Sequence, residues 1–392
     1  MPPVVNVPAA IKTARKAQIV PLRPFHAALA RRSADPVDIL CIGDSLTEGA
    51  RVSTLEKRWV ALLREKLRAR FPTPGVTGGV GYLCADYYAA GTNTDLEAFT
   101  QTGGVSDTGA SDFKGRFGLG RRARVLSTVG DALSITVTCS SFDVIYKANL
   151  GGATSLDVAI DGGLATTVST VDAVTAAEGT RWNSGALTPG SHSIVITQKV
   201  GTTYVEGMMV YLGDEAAGIR MWESGQGGAR SWSFNSPDNI WIVCVKTAFP
   251  SLVLIELGCN DWWYNSGGTA PYGTYTPAAM VSNLTTLISA VKAQLAYATS
   301  VGIVIAHERG DGGLAAGTIP LLAWSEYVAA YYGMVTADPS LFLVDMNNAL
   351  GPSPASAPGS QSMIATDKVH LNDYGSELYA DAIFRAITGG AF

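Results

Sequence analysis

The stretch Val37-Asp38-Ile39-Leu40-Cys41-Ile42-Gly43-Asp44-Ser45-Leu46 decides how this chain is read. Val37 to Ile42 is a short, mostly apolar and β-branched run with the length of a buried strand. Gly43-Asp44-Ser45 ends it abruptly. Ser45 is thereby placed at the C-terminal edge of a strand, where open α/β sheets bind their ligands. A serine hydroxyl is a weak nucleophile until a base takes its proton and a carboxylate orients that base. Near the other end of the chain, Asp367-Lys368-Val369-His370 offers both, in the chain order Ser, Asp, His.

The chain holds four histidines. His26 lies in a basic N-terminal arm, and His192 in a strand-like run at 191–197. His307 ends another strand run, which makes it a reserve base, a substrate-binding residue at the rim or a structural residue. His370 alone has a carboxylate just upstream and a helix signal just downstream, so Asp367 and His370 are the acid and base this reading selects. Each motif taken singly describes a common turn. Their joint occurrence, each at the end of its proper element, is what points to nucleophilic acyl transfer. That chemistry builds negative charge on a carbonyl oxygen, which preorganised donors must face. Two glycine-containing segments follow strand-like runs and offer such donors. They are Gly258-Cys259-Asn260-Asp261, after 252–257, and Gly225-Gln226-Gly227-Gly228-Ala229-Arg230-Ser231, after 218–223.

Together the four segments resemble the sequence blocks of the SGNH hydrolases, also called GDSL esterases and lipases. The resemblance spans 35–120 and 218–392. It implies Ser45 as nucleophile, Asp367 and His370 as acid and base, and an oxyanion hole formed by the Ser45 and Gly228 N–H groups and the Asn260 amide. Gly225 is the alternative to Gly228. The second block departs from the family pattern: Glu223 stands where asparagine is common, and Ala229-Arg230 replace Asp-Thr. The chain has no Gly-x-Ser-x-Gly elbow, which argues against the α/β-hydrolase fold. The resemblance requires no cofactor and no metal.

At 392 residues, 47% hydrophobic and 16% charged with 43 glycines, the chain reads as a well-buried, loop-rich globular protein of one or two domains. A net charge of -5 predicts no nucleic-acid partner. No apolar run reaches the length of a membrane-spanning helix. The five cysteines sit mostly in apolar runs and read as free buried thiols; Cys259 reads as packing. No Cys/His cluster has zinc-ligand spacing. Residues 1–34 form a basic extension, carrying Lys12, Arg15, Lys16, Arg23, Arg31 and Arg32 without an acidic residue. The extension has no sustained apolar core and so no secretory signal. It reads as a surface extension or as a docking arm for a larger assembly.

Between 121 and 214 the helical signals vanish. Short β-rich runs at 132–139, 142–148, 156–160, 192–199 and 205–212 alternate with turns such as Gly151-Gly152, Asp161-Gly162 and Pro189-Gly190. This spacing predicts an all-β sandwich of jelly-roll type, inserted between 35–120 and 215–392 and similar to a carbohydrate-binding module. Sandwiches host many functions, so sugar binding and a structural or oligomerising role both stay open. Phe142, Tyr146, Trp182 and Tyr204 are the candidate stacking aromatics, with core packing the alternative for each taken singly.

Alternation then resumes, with helix expectations at 238–249, 277–294, 320–332 and 374–387, and strand expectations at 252–257, 301–307 and 341–346. The fold class expected is a three-layer, flavodoxin-like α/β domain with a parallel sheet, carrying the β-sandwich insertion. Trp262-Trp263-Tyr264 follow the Asn260 segment and offer an apolar wall, a sugar platform or a buried aromatic cluster; Trp262, Trp263 and His307 are the substrate-binding candidates. The sandwich companion favours an acetylated glycan as ester substrate. A lipid or mycolate-type ester is the second expectation. A phage-tail component with an esterase domain is the third, consistent with the basic arm and with a cytoplasmic or virion-associated protein. Self-association through the arm or the insert belongs to that third reading.

Overall fold

The structure is a computed structural model describing residues 19–87, 96–107, 117–172, 177–235, 240–265, 275–309, 322–350 and 362–389. Five parallel strands form one sheet in the spatial order Ile219–Gly225, Val37–Gly43, Leu252–Glu256, Ser300–Ile305 and Leu341–Asp345. Counted along the chain this is the order 2-1-3-4-5, the flavodoxin-like arrangement, whose ligand crevice lies where the order reverses. Every residue of Val37–Gly43, Leu252–Glu256 and Ser300–Ile305 is buried. Continuous apolar runs, rather than alternating ones, are what a parallel sheet covered on both faces demands.

The helices form where the sequence places their caps. Pro277–Ala293 starts with proline at its first position, and Thr276 Oγ1 accepts the Ala279 N–H at 3.2 Å. Asp373–Thr388 is capped by Asn372, which accepts the Gly375 N–H at 2.9 Å, and it ends on left-handed Gly389. It packs on Trp59–Arg70, and Pro277–Ala293 packs on Trp324–Ala337. The helix expected at 238–249 is broken into a 3-10 turn, Ile240–Val243, and a short helix, Cys244–Ala248, so Cys244 is helical. The helix expected at 320–332 starts later, as Trp324–Ala337; residues 320 and 321 lie outside the described residues. Of the N-terminal arm, residues 1–18 lie outside the described residues. The remainder holds the helix Arg23–Arg31, whose Phe25 is fully buried and donates its N–H to Ser300 Oγ at 3.1 Å.

Two further sheets stack beside this unit. One has seven strands, centred on Ser141–Leu150 and Thr203–Gly213 and including Ala177–Asn183 and Arg124–Leu126. The other has five, centred on Ala132–Cys139 and Gly190–Val200. Leu133, Leu156, Ile194 and Ile196 of the second sheet share one core with Phe142, Val144, Met208 and Val210 of the first. Successive strand residues face opposite sides. Accordingly Ile145, Met209 and Tyr211, which alternate with those residues, are buried in the core of the parallel-sheet unit. The seven-stranded sheet is therefore covered on both faces.

The pairing does not follow the boundary expected at Arg121. Val76–Cys84 pairs antiparallel with Thr203–Gly213, while Thr100–Thr102 and Ser106–Asp107 also join these sheets. All three strands precede 121. Val76–Cys84 escapes sequence reading because glycines occupy it, and close approach demands them: at Gly81, φ is 76° and a Cβ would stand 2.9 Å from the Met221 carbonyl oxygen.

Candidate active site

Three adjacent strand ends build the site. Ser45 opens the short helix Ser45–Glu48 directly after Val37–Gly43. Asp44 caps that helix, its carboxylate accepting the Leu46 N–H at 2.9 Å. Gly43 has no room for a side chain, since a Cβ there would stand 2.0 Å from Thr47 Oγ1. Gly-Asp-Ser is thus a steric, a capping and a chemical requirement in succession.

His370 Nε2 lies 2.7 Å from Ser45 Oγ, and its Nδ1 lies 2.8 Å from Asp367 Oδ2. Asp367 Oδ1 accepts the N–H groups of Val369 and His370 at 2.9 and 3.0 Å, and Lys368 closes the turn at a left-handed φ of 60°. Arg51, which sequence reasoning missed, donates from Nε to Asp367 Oδ2 at 2.9 Å. Burial alone would raise the Asp367 pKa. The hydrogen bonds from the His370 ring and the two backbone N–H groups outweigh it and hold the carboxyl well below the usual range. An anion at Asp367 places the imidazole proton on Nδ1 and leaves Nε2 free to accept from the serine hydroxyl.

The glycine-rich loop sits opposite. The Gly225 N–H donates to the Glu223 carboxylate, and the Gly227 N–H to Glu48 Oε2 at 2.7 Å. Gly228, at a φ of 77°, makes no hydrogen bond through its N–H among the described residues. Asn260 stands near the start of the helix Cys259–Tyr264 and is buried. Its Nδ2 donates to Asp44 Oδ2 and to the Ala229 carbonyl, each at 3.0 Å, while Arg309 Nη1 donates to its Oδ1 at 3.3 Å. Both amide protons are thus engaged in this state. Asp261 fastens the same helix to the loop, accepting the Ser231 N–H at 2.8 Å. Burial raises the Asp44 pKa to about 6, against the opposing pull of the Leu46 N–H, His370 and Arg309. Glu256 is pushed up by burial and by the charge of Asp44 beside it.

Two of the expected substrate residues are not at a binding surface. His307 is fully buried; its Nε2 donates to the Val369 carbonyl at 2.9 Å and its Nδ1 accepts from the Tyr379 hydroxyl at 2.8 Å. It therefore holds the turn that carries Asp367 and His370 and offers no exposed face. Burial, reinforced by His370 and Arg309, lowers its pKa to about 4 although the Val369 bond opposes this. Trp262 is buried, with its Nε1 donating to the Leu322 carbonyl at 2.9 Å and its ring 5.5 Å from that of Trp324. Trp263, one position on around the helix, is half-buried with the Arg309 guanidinium 4.6 Å over its ring. Arg230, which departs from the family pattern, lies over Tyr264 and Tyr275 at 4.4 and 4.8 Å.

Among the aromatics of the sandwich, Phe142 and Tyr146 are core residues, and Trp182 packs against Phe142. The five cysteines are free and buried, and burial pushes the Cys259 thiol up, away from nucleophilic character. Glu178, Glu206 and Cys244, distant in sequence, bring possible metal-ligating atoms within 4.8 Å of one another at the junction of the two parts. Burial first, then the neighbouring Glu206 charge, raises the Glu178 pKa.

No family model matches the chain, and no curated protein matches it. Solved structures do. The whole chain is similar to a peptidoglycan O-acetylesterase at 17% identity, covering 95% of this chain and 96% of that one with a TM-score of 0.66. This chain has an SGNH-hydrolase fold. A family two carbohydrate esterase from Clostridium thermocellum matches at 14% identity over 73% of this chain and 98% of its own, at a TM-score of 0.33. Within the SGNH fold, the strand order found here sets Ser45, the 225–228 loop and Asn260 at one edge of the sheet. No helix among the described residues is long and apolar enough to cross a membrane.

Proposed function

We propose that this chain is a serine carboxylesterase whose substrate is an O-acetylated glycan. The observation that carries the reading is the continuous contact from Ser45 Oγ to His370 Nε2 at 2.7 Å and from Nδ1 to Asp367 at 2.8 Å. His370 takes the Ser45 proton as Oγ attacks the acetyl carbonyl. Asp367 keeps the imidazole in the required tautomer and balances its charge. His370 then gives the proton to the departing sugar oxygen. Water, deprotonated by His370, releases acetate from the acyl-serine.

The oxyanion is held by N–H donors. Ser45 stands first in its helix, so its N–H has no partner within the helix. Gly228 is favoured over Gly225 because the Gly225 N–H is already taken by Glu223. Asn260 completes the set by exchanging one of its two present acceptors for the oxyanion. A glycan alcohol is supported by the full-length likeness to a peptidoglycan O-acetylesterase and by the half-buried Trp263, whose ring suits a sugar face. In the same reading the two antiparallel sheets form a β-sandwich lying between the first and second strands of the hydrolase unit.

A hydrolysis panel tests this: p-nitrophenyl acetate through palmitate beside acetylated polysaccharides, with wild type and Ser45→Ala. Acetate release that vanishes in Ser45→Ala, with a steep fall beyond short acyl chains, is the expected result. Preference for palmitate would favour a lipid substrate. Full activity in Ser45→Ala would remove the nucleophile assignment.

A further inference from the structure

Among the described residues, Arg122 is the most deeply buried cation, with a side chain fully shielded from solvent. It lies two residues ahead of Arg124–Leu126, a strand of the seven-stranded sheet, and so belongs by chain to the β-rich region. Its guanidinium nevertheless reaches into the parallel-sheet unit. Nη1 donates to Glu48 Oε1 at 3.0 Å, and Nη2 donates to both Glu223 oxygens at 3.1 and 2.9 Å. Arg58 Nη1 donates to Glu223 Oε2 at 3.2 Å and to the Tyr87 hydroxyl at 3.2 Å. Both guanidinium groups lie over the Tyr87 ring, at 5.1 and 5.2 Å. Two arginines and two glutamates give the cluster no net charge.

The carboxylates face two ways. Glu48 ends the helix that Ser45 opens, and its other oxygen accepts the Gly227 N–H at 2.7 Å. Glu223 lies two residues before the end of the strand that feeds the glycine-rich loop, and it accepts the Gly225 N–H. Buried carboxylates without a counter-charge would be protonated or would turn towards water, and would lose these acceptor positions. Arg122 offers both a counter-charge within hydrogen-bond distance and keeps both aimed at the loop. It thus connects the nucleophile's helix and the neighbours of Gly228 through one planar fork, a geometry that lysine cannot reproduce.

We propose that Arg122 is a positioning residue for the oxyanion loop, supplied to the catalytic unit by the β-rich region. This rests on the assignment of Ser45 and the 225–228 loop made above. Arg122 touches no substrate; it acts through Glu48 and Glu223 on where the Gly228 N–H points. The unusual glutamate at 223, where the family pattern has asparagine, has its reason here: it is one half of the anionic receptor for this arginine.

Two variants of the full chain test the idea. Arg122→Lys keeps the charge and loses the fork. The double variant Glu48→Met, Arg122→Met removes one opposite pair, so that Glu223 and Arg58 remain balanced; replacing a buried ion pair by apolar side chains of similar volume commonly preserves stability. Circular dichroism and thermal melting establish folding. The readouts are kcat and KM for p-nitrophenyl acetate, the rate of Ser45 labelling by a fluorophosphonate, and amide hydrogen exchange of a peptide spanning 224–231. Both folded variants are expected to lose about 30-fold or more in kcat with KM within about threefold, since a misplaced oxyanion donor costs transition-state binding alone. Exchange in 224–231 is expected to speed up while the strands of the five-stranded sheet exchange as in wild type. A folded double variant with kcat within about threefold of wild type would overturn the proposal, as would lost kcat with unchanged loop exchange. If neither variant folds, the cluster holds the fold rather than the loop, and the proposal falls. Ser45→Ala, measured in parallel, separates the two levels: full activity there removes the underlying assignment, whereas an inactive Ser45→Ala beside a wild-type-like double variant removes only this one.

Discussion

Acid should destabilise this protein through His307, by an amount that can be worked from its surroundings. The ring is fully buried and its folded pKa lies near 4, against 6.5 for an ordinary histidine. Neutral His307 uses Nε2–H to donate to the Val369 carbonyl and Nδ1 to accept the Tyr379 hydroxyl proton. The Tyr379 oxygen is meanwhile accepting the His307 backbone N–H at 2.9 Å. A second ring proton would therefore meet a donor rather than an acceptor, in a fully buried site. Because the folded pKa is depressed, the stability contribution is fully present above pH 6.5 and is lost as pH falls towards 4. Between pH 7 and 5 the linkage amounts to about 2 kcal/mol, and the limit at lower pH is roughly 3 kcal/mol. Urea unfolding of wild type and His307→Gln at pH 7, 6 and 5 measures it, since groups common to both proteins cancel in the difference. Glutamine keeps a donor for Val369 and has no proton to gain. Wild type is expected to lose about 2 kcal/mol more than His307→Gln over that interval. Parallel pH dependences, within about 0.5 kcal/mol, would refute the buried neutral tautomer and with it the reason the Asp367–His370 turn is held in place.

Asp367→Asn should lower kcat about 10,000-fold with the fold retained, because the amide no longer fixes the His370 tautomer; steady-state kinetics beside circular dichroism checks this. Asn260→Ala should cost roughly 100- to 1,000-fold in kcat with little change in KM, and an unchanged kcat would exclude it from the oxyanion hole. Replacing 121–214 by a short Gly/Ser bridge should abolish folding, because Val76–Cys84 loses its partner strand and Tyr82, Cys84 and the face carrying Ile145 and Met209 leave the main core. A soluble, cooperatively melting deletion variant would contradict that and make the β-rich region a separable unit.

What was legible in the sequence was what local pattern encodes. Buried parallel strands announce themselves as unbroken apolar runs, so Val37–Gly43, Leu252–Glu256 and Leu341–Asp345 fell within a residue or two of expectation. The residues meeting at Ser45, Asp367 and His370 were legible because each follows a strand or precedes a helix that its own neighbours specify. The remainder depends on contacts that no window contains. Val76–Cys84 is a strand because Thr203–Gly213 lies beside it, while its own glycines read as a loop. Trp262 and Trp263 look alike in sequence; a helix turns about 100° per residue, and only the packing of Trp324 says which of them is inside. Nothing in the neighbouring sequence of Arg122 or Glu48 signals burial, and Glu223 stands out only as a departure from the family pattern, until the fold removes all three from water.

The register of the parallel sheet explains how groups from such distant parts of the chain come to act together. Gly43 is paired with Gly225 on one side and with Glu256 on the other, so three strands leave the sheet at the same level. Their following residues are Asp44-Ser45, Gln226 to Ala229, and Leu257 to Asn260. Cross-links then fix the loops to one another: the Gln226 N–H donates to the Gly43 carbonyl at 3.0 Å, and the Asn260 amide to Asp44 and Ala229. His370 arrives from the fourth strand's side, because His307, just beyond Ser300–Ile305, holds the Val369 carbonyl. Pairing, not sequence distance, sets these separations. A long β-rich segment can therefore stand between the first and second strands of the sheet without moving Ser45 from its loop. A one-residue slip of Ile219–Gly225 against Val37–Gly43, by contrast, would carry Gly228 along the strand axis by about 3.3 Å. That is a full hydrogen-bond length, enough to empty the proposed donor position even with the Ser45–His370–Asp367 contacts intact.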